Sequence, residues 1–371
     1  MKKKLICIAI LMLLITTTLS GCIDNDNNLE KETVIDIRGR EIIISEEITS
    51  IIALGACSLR IISYFDSIDK IIAVDMQEKT DTAMFGGGYF ESSTYRIAFP
   101  ELRELPSIGS PSSVNVEAII EQDPDIVFSS ATDVSILNNL QQSLGIPVVA
   151  INADLEMDDE DFFNQITIVG KILSEEKRAE ELNNELYKII QDLFNRAENV
   201  TEKRMAYVAG MFFYGGGGLL KTSGDYLPFN FTGVHNVMPS STAGVGKQPY
   251  DTDIETLIEK NPKFIFIDSI TEHVCRDDYY DYRALLDENV RAFANQSVYT
   301  TLVYKNYGTN WENQVINMYY IGSIIYSELY EDINIEEKAE EIWHLFFQKK
   351  LDFEDTIEKM NGPGLSKVDW W

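Results

Sequence analysis

Two glutamates hold the same place in two copies of one segment. The first copy runs Asn115-Val116-Glu117-Ala118-Ile119-Ile120-Glu121-Gln122-Asp123-Pro124-Asp125-Ile126-Val127-Phe128. The second runs Asp253-Ile254-Glu255-Thr256-Leu257-Ile258-Glu259-Lys260-Asn261-Pro262-Lys263-Phe264-Ile265-Phe266. Glu117 matches Glu255, Ile120 matches Ile258, Glu121 matches Glu259, Pro124 matches Pro262 and Phe128 matches Phe266, and most other positions keep the apolar pattern. Each copy predicts a short amphipathic helix, a stop marked by proline and a buried strand. A chain that uses one α/β module twice predicts two similar lobes facing each other across a cleft. Each lobe then carries a glutamate on the same turn of the same helix.

Enzyme chemistry finds little support in the spacing of reactive residues. Gly215-Gly216-Gly217-Gly218-Leu219-Leu220-Lys221-Thr222 approaches a phosphate loop, but Leu220 stands where a glycine should precede the lysine. His235, His273 and His344 are too scattered for a bare metal site, and no nucleophile elbow is present. No catalytic residue and no resident cofactor is expected. What remains is a set of loops at strand ends, where doubly wound sheets place ligands. Phe212, Phe213 and Tyr214 lie on one, Tyr304 and Tyr307 on another, and Trp311 follows it; Tyr95 and Arg96 are expected in a long loop from Gly86 to Arg103. Aromatic residues concentrated there suit a bulky, partly apolar ligand held by stacking and a few polar anchors. Arg96 is the nearest cation for an anionic ligand.

Lys2, Lys3 and Lys4 precede an uncharged run from Leu5 to Leu19, the proportions of a signal-peptide core. It ends in Leu19-Ser20-Gly21-Cys22, small residues directly before a cysteine, as in a bacterial-type lipoprotein signal. Cleavage would leave Cys22 at the N-terminus as the lipid carrier. The expected product is anchored by lipid on the extracytoplasmic face of the cell membrane. Formal charge is −29, which excludes nucleic acid as a partner because phosphates would be repelled. Cys57 and Cys275 fall in different lobes and are expected as two separate buried or semi-buried thiols.

The elements that must position these residues follow from periodicity. Residues 1–21 are the signal peptide, 22–32 a flexible tether, 33–155 an N-terminal α/β lobe, 156–200 a linker helix, 201–350 a C-terminal α/β lobe and 351–371 a tail with no assignable pattern. Strands near Ser50–Leu54, Lys70–Val74, Asp125–Phe128 and Pro147–Ile151 alternate with helices, which implies a mainly parallel sheet. Strands at Met205–Gly210, Phe264–Asp268 and Val298–Leu302 repeat the arrangement. Between the lobes, apolar residues at helical spacing predict one uninterrupted helix from Asp158 to about Glu198. A single stiff helix permits only modest closure.

Further markers are Asp36-Ile37-Arg38-Gly39-Arg40, Ile51-Ile52-Ala53-Leu54-Gly55, Leu105-Pro106-Ser107-Ile108-Gly109, Tyr304-Lys305-Asn306-Tyr307-Gly308-Thr309-Asn310 and Tyr319-Tyr320-Ile321-Gly322. On these and the repeat, the chain from Cys22 to about Lys350 resembles the lipid-anchored substrate-binding proteins of ABC importers for iron–siderophore, haem and cobalamin complexes. The resemblance implies two α/β lobes joined by one long helix, a monomer, and delivery of an iron chelate to a permease and its ATPase. It also implies that Glu117 and Glu255 dock onto arginines of the two permease subunits, through charge-assisted contacts that set register. Cobalamin or a molybdate-type oxyanion is the alternative ligand. A surface metallo-enzyme or chelate reductase using Cys57 or Cys275 is the alternative of another class. A locally positive cleft built from Arg96, Lys221 or Arg276 is needed if the chelate is anionic.

Overall fold

The computed structural model describes residues 32–44, 47–79, 92–211, 217–240, 248–360 and 362–371. Cys22, the signal and most of the tether lie outside them, as do Phe212, Phe213 and Tyr214. No helix among the described residues is long and apolar enough to cross a membrane.

An antiparallel hairpin, β1 (Glu32–Ile35) and β2 (Glu41–Ile44), opens the first lobe. Its turn is the Asp36-Ile37-Arg38-Gly39-Arg40 marker. Gly39 sits at φ 77, in the left-handed region that glycine enters without a Cβ penalty. Arg40 reaches from the turn to the Val148 carbonyl and the Asn138 and Gln141 side chains, fastening the hairpin to the lobe. There follow β3 (Ile51–Leu54), α1 (Ser58–Ile62), β4 (Ile71–Val74), α2 (Thr94–Ala98), a small pair β5 (Gly109–Ser110) and β6 (Ser113–Val114), α3 (Val116–Gln122), β7 (Ile126–Ser129), α4 (Val134–Leu144) and β8 (Val148–Ala150). The main sheet is parallel, in the order β4-β3-β7-β8.

The interlobe region is two helices, not one. α5 (Glu160–Ile172) ends at Leu173, the chain turns through Ser174 at φ 61, and α6 (Glu176–Glu198) begins. The two pack antiparallel. Phe163 stacks on Tyr187 at 4.3 Å, and the Asn183 amide bonds to the Phe163 carbonyl and the Thr167 hydroxyl. The long helix of the linker is therefore α6. Acidic residues do open the preceding helix, with Asp159 as the N-cap accepting from the Asp161 amide.

The second lobe repeats the first. β9 (Met205–Ala209), β10 (Lys221–Thr222), α7 (Leu227–Thr232), β11 (His235–Asn236), β12 (Tyr250–Asp251), α8 (Ile254–Lys260), β13 (Phe264–Asp268), α9 (Glu272–Asn289), α10 (Arg291–Ala294) and β14 (Val298–Thr301) precede three helices, α11 (Trp311–Ile325), α12 (Ile335–Phe347) and α13 (Phe353–Lys359). Its sheet runs β11-β9-β13-β14-β15. β15 (Ser366–Lys367) comes from the tail and adds antiparallel to β14, while the other pairs are parallel. The tail is thus part of the fold.

Side-chain alternation along the strands builds three cores. Ile51, Ala53 and Phe128 of the first sheet share one with Ala206, Val208 and Phe266 of the second, together with the inner faces of α5, α6 and α11. Ile52, Leu54 and Val127 face a separate core under α3 and α4. Tyr207, Ile265 and Ile267 face another under α8 and α9. One apolar core therefore passes from lobe to lobe.

Candidate functional site

Beyond β14 the chain leaves the second sheet and crosses to the first. Tyr304 donates its amide to Asp268 Oδ2 at 2.9 Å, at the C-terminal end of β13. Three residues on, the Tyr307 hydroxyl donates to Asp75 Oδ2 at 2.7 Å, just past β4. The Tyr307 carbonyl accepts from the Cys57 amide at 3.3 Å, past β3. The Thr309 hydroxyl and the Trp311 indole donate to the carbonyls of Ala153 (3.0 Å) and Leu155 (2.7 Å), past β8. The crossing segment thus lies on the C-terminal edge of the first sheet, where such sheets hold ligands. Tyr307 and Gly308 both take positive φ, 50 and 92. A Cβ on Gly308 would meet Cys57 Sγ at 2.3 Å, so the turn needs glycine there.

Charged groups line this seam in pairs. Arg60 of α1 meets Glu312, the second residue of α11, at 2.7 Å, and both side chains are fully buried. Tyr64 donates to the other Glu312 oxygen at 2.8 Å. The second Arg60 nitrogen reaches Ser93 Oγ at 3.3 Å and the Asn306 carbonyl at 3.1 Å. Burial works against the charge on Arg60, but Glu312 together with Cys57, Tyr64 and Tyr95 outweighs it and holds the guanidinium above its ordinary value. Arg96 pairs with Glu78 at 2.8 Å, and the Tyr95 hydroxyl shares that carboxylate. Lys305 lies 3.9 Å from Glu156, which also accepts from the Tyr304 hydroxyl. Burial, with Glu78 adding to it, pushes the Asp75 carboxyl up to about 6 against three hydrogen bonds. Burial pushes Asp268 up to about 7 against two backbone amides.

The structure brings Tyr95, Arg96, Tyr304, Tyr307 and Trp311 to this one seam, from segments far apart in sequence. It also changes what several of them offer. Tyr95, Tyr304 and Trp311 are buried, with their polar atoms spent on Glu78, Glu156 and the Leu155 carbonyl. They pack beneath the seam and present no ring face to solvent. Arg96 sits in a short helix, not a loop, and Glu78 already neutralises it. Lys221 and Arg276 are likewise paired, with Asp251 at 3.0 Å and Glu272 at 3.5 Å. The positive cleft required for an anionic chelate is therefore not built from these three. Tyr307 keeps partial exposure. Sequence reasoning missed Arg60, Glu78 and Glu312. Arg60 and Glu312 stand 252 residues apart with no motif around either.

Glu117 and Glu255 are the second residues of α3 and α8. Asn115 and Asp253 cap these helices by accepting from the Ala118 and Thr256 amides. Both helices stop at a left-handed residue, Asp123 at φ 52 and Asn261 at φ 44, before a buried proline and a strand. Both glutamates are exposed, above buried Ile119 and Leu257. Each helix doubles back into the strand it precedes, so its N-terminus lies toward the strands' C-terminal ends. A groove of about 390 Å³ lies away from the seam, among α6, α11 and α12, lined by Glu185, Asp192, Arg196, Tyr319 and Asp332.

A family model described as periplasmic binding protein matches residues 88–300. The molybdate-binding protein MolA of Haemophilus influenzae is 23% identical over 351 residues, 86% of this chain and 92% of the relative. Among solved structures, a periplasmic solute binding protein from Veillonella parvula superposes with TM-score 0.69 at 20% identity, covering 89% of this chain and 96% of its own. CeuE of Helicobacter pylori with Ni(II) bound superposes with TM-score 0.62 at 17% identity, covering 89% and 100%. At these identities the structural likenesses carry the fold.

Proposed function

The chain belongs to the periplasmic binding protein family, and from that premise we propose that it captures an iron chelate, of siderophore or haem type, and delivers it to an ABC permease through Glu117 and Glu255. The observation that carries the docking half is the match between α3 and α8. Cap, exposed glutamate, buried leucine or isoleucine, left-handed stop and proline coincide in both lobes. Two equivalent exposed carboxylates suit two equivalent cationic sites on a permease. Lipid at Cys22 would hold the body near that partner, as the sequence pattern implies.

The chelate reading rests on the sequence resemblance, because the paired cations separate neither candidate. An anionic chelate and a bare oxyanion both need donors not already neutralised, while Arg60, Arg96, Lys221 and Arg276 each face a carboxylate. MolA, a relative by sequence, is described as a molybdate binder, which keeps that reading as the competitor. The chelate-reductase reading fares worse. Cys57 and Cys275 are buried, and burial pushes the Cys57 thiol up to about 11, away from the thiolate such chemistry uses. Calorimetric titration of the protein with ferric siderophores, haem, cobalamin and molybdate tests the ligand class. Saturable binding of a ferric chelate or haem is expected. Binding of molybdate alone would replace this reading with the oxyanion one.

A further inference from the structure

The lobes are joined by two kinds of contact that do different work. The shared apolar core is extensive but non-directional, since hydrophobic contact tolerates small rotations and slides. The Arg60–Glu312 pair is directional, and it spans the seam. Arg60, Tyr64, Ser93 and Tyr95 belong to the first lobe; Glu312 and Asn306 belong to the second. One guanidinium therefore engages the Glu312 carboxylate at 2.7 Å, the Asn306 carbonyl at 3.1 Å and the Ser93 hydroxyl at 3.3 Å, and lies 4.7 Å from the centre of the Tyr95 ring. All of this happens where Arg60 and Glu312 are fully buried. A fully buried ion pair is expensive to desolvate and contributes little net stability compared with apolar side chains of the same volume. Its geometric demand is the part that apolar residues could not supply.

We propose that Arg60 and Glu312 are positioning residues that set the angle between the lobes, and with it the separation of Glu117 and Glu255. They do so by pinning the crossing segment to the first lobe. Asn306 and Glu312 flank the turn at Tyr307 and Gly308, so a fixed guanidinium beneath them fixes the whole turn against β3, β4 and β8. The importance of that separation rests on the docking reading given above. The angle itself does not.

The test compares the parent protein with a triple variant, Arg60→Met, Tyr64→Phe and Glu312→Leu, which removes the charges and the hydroxyl that depends on them. Nitroxides are placed on an encoded keto amino acid at the exposed positions 121 and 259, one in each lobe, and their distance distribution is read by pulsed electron resonance. The parent is expected to give one narrow distribution. The triple variant is expected to melt cooperatively yet give a broadened or shifted one. An unchanged distribution in the folded triple variant overturns the proposal. Should the triple variant not fold, Glu312→Gln is read the same way: it keeps the shape and one acceptor, is expected to broaden the distribution, and overturns the proposal if it does not. Neither ligand nor permease enters this measurement, so its failure is distinguishable from failure of the transport reading.

Discussion

Asp75 and Asp268 do similar work at two strand ends: one follows β4 of the first lobe, the other closes β13 of the second, and between them they hold the two ends of the Tyr304–Tyr307 turn. Each is a buried carboxylate fed by hydrogen bonds and with no cationic partner among them. Their folded-state values, about 6 and about 7, stand above the ordinary 3.8. The folded chain therefore holds protons that the unfolded chain releases between about pH 4 and pH 7. These two groups make the protein less stable as pH rises through that window, by a slope of at most about 1.4 kcal/mol per pH unit for each. Asp268→Asn is expected to flatten the decline of the unfolding free energy between pH 5 and 8 relative to the parent. Denaturant unfolding across that range reads the difference, and parallel curves would contradict it. At this scale little of the site was legible beforehand. Tyr304 and Tyr307 stood out as residues at a strand end, but the partners that fix them come from other strands. Trp311 and Tyr95 read as ligand rings because aromatic type is visible in sequence and burial is not.

Elements with a sharp boundary signal were legible, and those without one were not. The strands near Ser50–Leu54, Lys70–Val74 and Phe264–Asp268 fall where periodicity predicts them. Proline and a left-handed Asp or Asn end the two repeated helices cleanly. The break between α5 and α6 was hidden because both halves keep the same apolar period. Its only mark is Ser174, a residue type without strong preference for φ 61. The close packing it allows brings Gly170 so near Ala179 that an added Cβ would lie 2.5 Å from the alanine methyl. α9 was missed since its buried residues, Cys275, Tyr279 and Leu286, are diluted among charges. The tail carries no period at all, yet Trp370 is 2% exposed, donates to Glu272 at 2.7 Å and lies 5.4 Å from the Tyr279 ring. Trp370→Ala should therefore cost roughly 3–5 kcal/mol, the range for emptying a buried aromatic site. Thermal unfolding checks this, and an unchanged melting temperature would show that the tail is not part of the second core.

At the scale of the whole molecule, the duplicated module gave two sheets with one strand order, β4-β3-β7-β8 matching β11-β9-β13-β14. The sequence repeat covers one helix and one strand of each lobe, while the correspondence extends over four strands. The remaining pairs have diverged to the point where only the fold keeps them. A core continuous from lobe to lobe and the long helix α6 both restrict relative motion, so closure on a ligand should be small. A rigid pair of lobes would also keep Glu117 and Glu255 at one spacing, as the proposed docking onto two equivalent permease sites requires. The direct measurement is uptake of the bound chelate by cells carrying Glu117→Ala with Glu255→Ala, set beside the affinity of the same purified variant for the chelate. Abolished uptake with unchanged affinity is the predicted result. Uptake at the parent's rate would contradict it.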